Sequence, residues 1–328
     1  MTSVEVQRPT GVHDLPEELL SAILSHLAPS DSPVDTATLK SCSLVHSSFR
    51  NPAQQLIWEA VEITTEDDVR QWTVTRARRR APPKELALHA FKTRKGLARL
   101  FDGCDGLRWL MLATPNRDVD PAILAHPSLH DLRTLIVQGW LHKPQASLSF
   151  PFHLRSLVLA DLYPGSPNFA SWLRALAPSS LPSLRSISLP ACSSAAHPAV
   201  AAALVPFAPQ LRHLGLSIAT RDDATPYGAV LDAATSLHSF ECTSLPAALL
   251  PHLPPSLAVL ATTEDARAIP GEALREALLE RPGARITRLY FACSRAEFLS
   301  EVQGGRGLVE EAVRNGVDWR FQGEAEDE

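Results

Sequence analysis

Cysteine is sparse and unpaired in this sequence. The five cysteines among 328 residues (Cys42, Cys104, Cys192, Cys242 and Cys293) are an odd number, widely spread, with no C-x-x-C pair. There is no usable Asn-x-Ser/Thr sequon either. Both absences argue against a disulfide framework or a zinc site and favour a reducing compartment, with cysteines acting as small buried hydrophobes. Long apolar runs are also missing: no stretch reaches the roughly 18 residues of a membrane span, and MTSVEVQRPTG at the start has no apolar core of signal-peptide length. The net charge of −5 is too small to call for a polyanionic partner such as a nucleic acid. Enzyme signatures are absent as well. No G-x-S-x-G, H-E-x-x-H, P-loop or strand-linked G-x-G-x-x-G occurs, and the 12 histidines are scattered singly. The expectation is a non-enzymatic protein of the cytoplasm, the nucleus or both, without cofactor or metal.

Leucine is the most frequent residue, and the 27 prolines outnumber the 15 glycines. The leucines fall into two patterns. Near the start, DLPEELLSAILSHL places Leu15, Leu19, Leu20, Ile23, Leu24 and Leu27 on one wide helical stripe, opposite Glu17, Glu18, Ser21 and Ser25. Asp14 suits the N-cap, with Glu17 three residues on and Pro16 in the first turn. After the proline-bearing loop APSDSPVDTAT comes LKSCSLVHSSFR, with Leu39, Cys42, Val45 and Phe49 at helical spacing. The Asn51-Pro52 pair is expected to end that helix, and PAQQLIWEAVEI to form a third one running into a strand at Val61 and Ile63. Three short helices are too few to bury their apolar surface well alone.

The Leu-Pro opening, the ELLxxILxxL core and the S-L-V-x-x-x-F-R element (Phe49 where Trp is common), over residues 13–63, resemble an F-box. That resemblance implies docking onto the small Skp-type adaptor of an SCF-type cullin–RING ubiquitin ligase. It implies adaptor contacts from Leu15, Pro16, Leu19, Leu20, Ile23, Leu24, Leu27, Leu44 and Val45, shared between contact and internal core.

The second pattern begins near residue 84. LRWLML (107–112), LRTLIV (132–137), LRSLVL (154–159), LRSISL (184–189) and LRHLGL (211–216) are versions of one motif. LHSFEC (237–242), LAVLAT (257–262) and ITRLYF (286–291) are weaker copies, with an earlier one in PKELAL (83–88). In L-x-x-L-x-L the fourth and sixth residues alternate as in a strand and enter a core, while the first packs beneath it. A single copy cannot bury its own face, so the copies must stack into a parallel sheet with a shared interior. Segments such as DPAILAHP, PNFASWLRALAP and HPAVAAALVPF suit short helical turns on the opposite side.

The copies start 20 to 30 residues apart, within the range of leucine-rich repeats, which the segment 84–305 resembles. The family's Asn or Cys at the ninth position is met only by Cys192, so an irregular, shallow arc is expected.

The fold class is therefore α/β: a three-helix N-terminal unit, then an arc with its parallel sheet concave and short helices convex. Residues 1–12 read as a disordered start, 64–83 as a linking and capping helix, 306–322 as a C-terminal cap with Val317 and Trp319 on its strand, and 323–328 as an acidic tail. The third and fifth motif positions face the concave side: Trp109, Met111, Ile136, His213, Glu241, Arg288 and Tyr290 are the candidate target contacts. Arginine occupies the second position of five successive copies (Arg108, Arg133, Arg155, Arg185, Arg212), a column suited to an acidic or phosphorylated segment. The basic residues at 76–99, from Arg76 to Arg99, read either as a landing or nuclear-import patch or as helix C-terminal cations that suit the macrodipole. The functional expectation is a substrate receptor for a protein target. The alternative is a repeat-built interaction scaffold unconnected to ubiquitination.

Overall fold

The computed structural model describes residues 15–25, 36–75, 82–89, 100–145, 148–160, 168–190, 194–219, 223–263, 269–277 and 286–321. Leu27, the Asp14 cap, most of the basic run and the acidic tail lie outside these residues.

Three helices open the described chain: α1 (Glu17–Ser25), α2 (Thr36–Val45) and α3 (Ser47–Glu59). Leu24, Leu39 and Ala53 form their small buried core, with Cys42, Phe49, Leu56 and Ile57 half-buried around it. The break between the second and third helices falls at His46, five residues before the expected one. His46 is extended (φ −152°, ψ 149°), and its Nδ1 accepts from the Ser48 backbone N–H at 3.2 Å, capping α3. Pro52 then sits inside α3 and is buried. It forfeits one bond, to the Ser48 carbonyl, and its packing offsets that loss. Val45, at the end of α2, consequently leaves the core face.

The last turn of α3 runs straight into β1 (Ala60–Ile63), the first strand of an 11-stranded, wholly parallel sheet in sequential order. It continues through β2 (Glu85–His89), β3 (Trp109–Val119), β4 (Thr134–Leu141), β5 (Ser156–Ala160), β6 (Ser186–Leu189), β7 (His213–Leu216), β8 (Ser239–Cys242), β9 (Val259–Thr262), β10 (Arg288–Phe291) and β11 (Asp318–Phe321). Thus α4 (Glu66–Thr75) is the crossover between β1 and β2, and the sheet begins one strand before the legible repeats. Thr65 caps α4: its Oγ1 accepts from the Asp68 N–H at 3.1 Å, while Asp68 Oδ2 accepts from the Thr65 N–H at 2.8 Å. Hydrogen bonds to its carboxylate, from the Thr65 side chain first and then from the Thr65 and Thr64 backbone, lower the Asp68 pKa.

Register explains why the leucine pattern stacks. Leu86, Leu110, Leu135, Leu157, Ile187, Leu214, Phe240, Leu260 and Leu289 are aligned strand to strand and all buried. Two residues on, Leu88, Leu112, Val137, Leu159, Leu189, Leu216, Cys242, Thr262 and Phe291 repeat the row. One continuous core runs from Ile63 to Phe321. The ladder shifts register once, between Thr114 and Asp118.

Connections on the other face mix α-helices with 3-10 turns. They include α5 (Phe169–Ser180), α6 (His197–Leu204), α7 (Gly228–Ala233) and α8 (Gly271–Arg275). DPAILAHP and the two residues after it form two 3-10 turns, Pro121–Ala125 and Pro127–Leu129, each opening on proline.

Hydroxyls and indoles do what a regular asparagine ladder would do for buried loop backbone. Thr243 Oγ1 accepts from the Ile218 N–H and donates to the Ile218 carbonyl, both at 2.8 Å. Ser180 Oγ accepts from the Leu154 N–H at 3.1 Å, and Ser183 Oγ donates to the Leu154 carbonyl at 2.8 Å. Trp172 Nε1 donates to the His142 carbonyl at 2.7 Å.

The far end is closed by α9 (Arg295–Glu301), α10 (Gly305–Arg314) and β11. Ser294 and Glu297 form a capping box on α9. Phe291, Phe298, Trp319 and Phe321 pack ring to ring at 4.7 to 6.1 Å. Val317 falls just before β11 rather than on it, while Trp319 lies on it.

Candidate functional site

Two surfaces emerge, one on the helices and one on the arc. The apolar stripe of α1 divides cleanly. Leu20 and Leu24 are 2% and 1% exposed, whereas Leu19 and Ile23 are 51% and 48% exposed. A helix stripe wider than its packing partner must do this: residues one apart sit about 100° around the axis, and only one of each pair meets α3. Leu20 and Leu24 therefore fall on the core side of the stripe, and Leu19 and Ile23 on its outward side. On α2, Leu44 (82% exposed) and Val45 (76%) point outward. Leu15 is half-buried and Pro16 exposed at the start of α1.

Below this unit, Trp58, Val61, Glu62, Ile63, Asp68, Gln71, Trp72 and Thr75 line an open groove of about 430 Å³ between α3, β1 and α4. Trp58, 40% exposed, is its apolar wall. The groove is not legible from spacing, because the alternation at Val61 and Ile63 marks a strand but not its place beside β2.

On the arc, two rows of outward-facing residues cross the strands. The first reads Glu85, Trp109, Thr134, Ser156, Ser186, His213, Ser239, Val259, Arg288, Asp318 from β2 to β11. The second reads Ala87, Met111, Ile136, Val158, Ser188, Gly215, Glu241, Ala261, Tyr290, Arg320. The chemistry changes along them. An apolar stretch on β2–β5 (Ala87, Met111, Ile136, Val158, with Trp109 beside it) gives way to small hydroxyls and Gly215 on β6–β7. A charged end follows on β10–β11, where Asp318 lies 3.5 Å from Arg288 and 3.1 Å from Arg320.

All the concave candidates face this side, but Trp109, Met111, Ile136, His213 and Glu241 are half-buried by their neighbours. Only Arg288 and Tyr290 are exposed, the latter at 37%. Neighbouring rows shield flat-lying side chains in a sheet, which alternation alone does not reveal. Burial lowers the His213 pKa, with the nearby Glu241 carboxylate pulling the other way.

The arginine column stands at the strand starts, not on the concave rows. The Arg133 N–H donates to the Arg108 carbonyl at 2.9 Å, and the same bond repeats from Arg155 to Arg133, Arg185 to Arg155 and Arg212 to Arg185 at 2.7 to 2.8 Å. Lys84 extends the column and is paired with Glu59 at 2.8 Å. Among the described residues no group of three His, Cys, Asp or Glu is placed to hold a metal. No helix among them is long and apolar enough to cross a membrane.

Comparison with known proteins agrees with both halves of this architecture. An F-box-like family model matches residues 12–64. A search of curated proteins found none that matches the chain. Among solved structures, the leucine-rich repeat-containing protein LegL7 from Legionella pneumophila superposes with a TM-score of 0.50 at 12% identity, covering 80% of this chain and 90% of that one. The chain thus carries an F-box-like domain at residues 12–64, followed by a leucine-rich-repeat-like arc built on an 11-stranded parallel sheet.

Proposed function

We propose that this protein is the substrate-recognition subunit of an SCF-type cullin–RING ubiquitin ligase, working in the cytoplasm or nucleus. The observation that carries the reading is the outward set Leu19, Ile23, Leu44 and Val45 on a unit whose inward positions are already filled. Four large apolar side chains exposed on so small a unit call for a partner surface. The F-box-like match supports a Skp-type adaptor as that partner. Pro16 and Leu15 flank the contact, and a cullin joins through the adaptor.

The arc supplies the other half of the function. Its apolar stretch at β2–β5 and its charged end at β10–β11 offer a protein target distinct contacts along one continuous face. No chemical step is assigned to the chain. Its contribution is proximity, which raises the target's effective concentration at the ubiquitin-transfer machinery. Reconstitution with purified Skp-type adaptor and cullin–RING scaffold tests this. Co-elution of the chain with all components is the expected result. An adaptor complex that excludes the cullin would remove the ligase role, and no adaptor complex would leave a free-standing interaction scaffold.

A further inference from the structure

The arginine column has an alternation that the sequence does not show. Arg133 Nη1 donates to the His153 carbonyl at 3.4 Å, and Arg185 donates from both terminal nitrogens to the Leu184 and Pro182 carbonyls at 3.1 Å. Both are half-buried. Arg108, Arg155 and Arg212, on the strands between, are exposed and have no side-chain hydrogen bond or ion pair with any other described residue. The described acids nearest the column do not neutralise it: the exposed Asp105 pairs with neither Arg108 nor Arg133, and Asp131 Oδ2 lies 3.3 Å from His130 Nε2. Every second guanidinium is therefore tied to backbone, and every second one is available.

Adjacent strands are about 4.8 Å apart, so the available arginines recur about every 9.6 Å across β3, β5 and β7. A polyproline-II chain repeats its side-chain direction every third residue, a rise of about 9.3 Å. A β-extended ligand fits less well, because residues three apart point to opposite sides. Single guanidiniums at this separation each suit one carboxylate, with two N–H donors for its two oxygens.

We infer that the strand-start edge of β3–β7 binds an acidic protein segment in polyproline-II conformation, with Asp or Glu at every third position meeting Arg108, Arg155 and Arg212 in turn. This deepens the reading of the arc as a target-binding surface and does not depend on adaptor docking.

The test is fluorescence anisotropy on the purified full chain with a labelled peptide of three Glu-Pro-Pro units. Controls are the Gln-Pro-Pro analogue, a peptide of the same composition with its three Glu adjacent, and a Gln-Pro-Pro peptide bearing one phosphoserine. The Glu-Pro-Pro peptide is expected to bind tightest and to weaken with added salt, as exposed ion pairs do. Arg108→Gln/Arg155→Gln/Arg212→Gln should weaken it about tenfold, since three exposed pairs are lost. Arg133→Gln/Arg185→Gln should change it by less than about twofold. Unchanged binding by the triple variant would overturn the site. Equal losses in both variants, or tighter binding of the clustered or phosphoserine peptide, would overturn the one-carboxylate-per-arginine register. Thermal melting and adaptor co-purification of each variant separate loss of this site from misfolding and from failure of the adaptor reading.

Discussion

The N-terminal helices and the repeat arc solve the same packing problem with opposite results. In the arc, each strand contributes two inward side chains to an interior that extends unbroken across 11 strands. In the helical unit the buried core is Leu24, Leu39 and Ala53. Of nine large apolar residues left exposed among the described residues, five (Leu19, Ile23, Leu44, Val45 and Trp58) fall within the first 58 positions. The difference follows from dimensionality. Stacking lets every repeat use its neighbour as cover, whereas three short helices have too little mutual surface. The arc covers its own apolar face, whereas the helices leave theirs exposed.

That contrast is sharpest in core deletion. Phe240 is fully buried within the aligned row. Phe240→Ala should cost about 3–5 kcal/mol, read by denaturant unfolding as an early transition of the arc. A smaller loss would mean that the interior is looser than its burial implies.

Overpacking should do less but still register at the closed end. A Cβ on Gly271 would stand 2.3 Å from the Gln303 carbonyl oxygen and 2.6 Å from Val302 Cγ1. Gly271→Ala is expected to cost roughly 1–3 kcal/mol, measured in the same assay, because backbone must move to admit it. A neutral outcome would show that the loop after α9 yields freely.

The helical surface should behave oppositely. Leu44→Ser/Val45→Ser removes two outward side chains, so the melting midpoint should stay put, within about 0.5 kcal/mol. A drop comparable to the Phe240 variant would place these residues in a core and undo the comparison.

The smallest expected effect is a pH dependence centred on His213. Its folded pKa lies below the ordinary 6.5. Its contribution to stability is therefore present above the unfolded pKa and lost as pH falls through the folded one, because the unfolded chain takes up the proton first. His213→Gln should flatten the decline in melting temperature between about pH 7.5 and about pH 5.5. Parallel profiles for the two proteins would assign that decline elsewhere.

The repeats were legible because their information is local. A strand buries every second residue, so L-x-x-L-x-L announces both the strand and its inward face, and Leu110 with Leu112 or Leu214 with Leu216 needed nothing further. The division of α1 was not legible. Leu19 and Leu20 are both compatible with a wide stripe, and only the position of α3 decides between them. The helix boundary at His46 rests on one ring nitrogen capping the Ser48 N–H, while Pro52, ordinarily a breaker, is retained inside α3. Alternation at Val61 and Ile63 marks the first strand but not its membership of the sheet, because Ala60–Ile63 lacks the leading leucine of the motif. The alternation within the arginine column depends on loop carbonyls at His153, Pro182 and Leu184, whose placement no pattern of spacing encodes.

The central claim is that the outward side chains of α1 and α2 are an adaptor surface. Calorimetric titration of purified Skp-type adaptor into the wild-type chain and into Leu19→Ser/Ile23→Ser tests it most directly. The account predicts a one-to-one complex with the wild type and a loss of about 2 kcal/mol or more in the variant, whose melting curve is unchanged. Equal affinity for both proteins would contradict it.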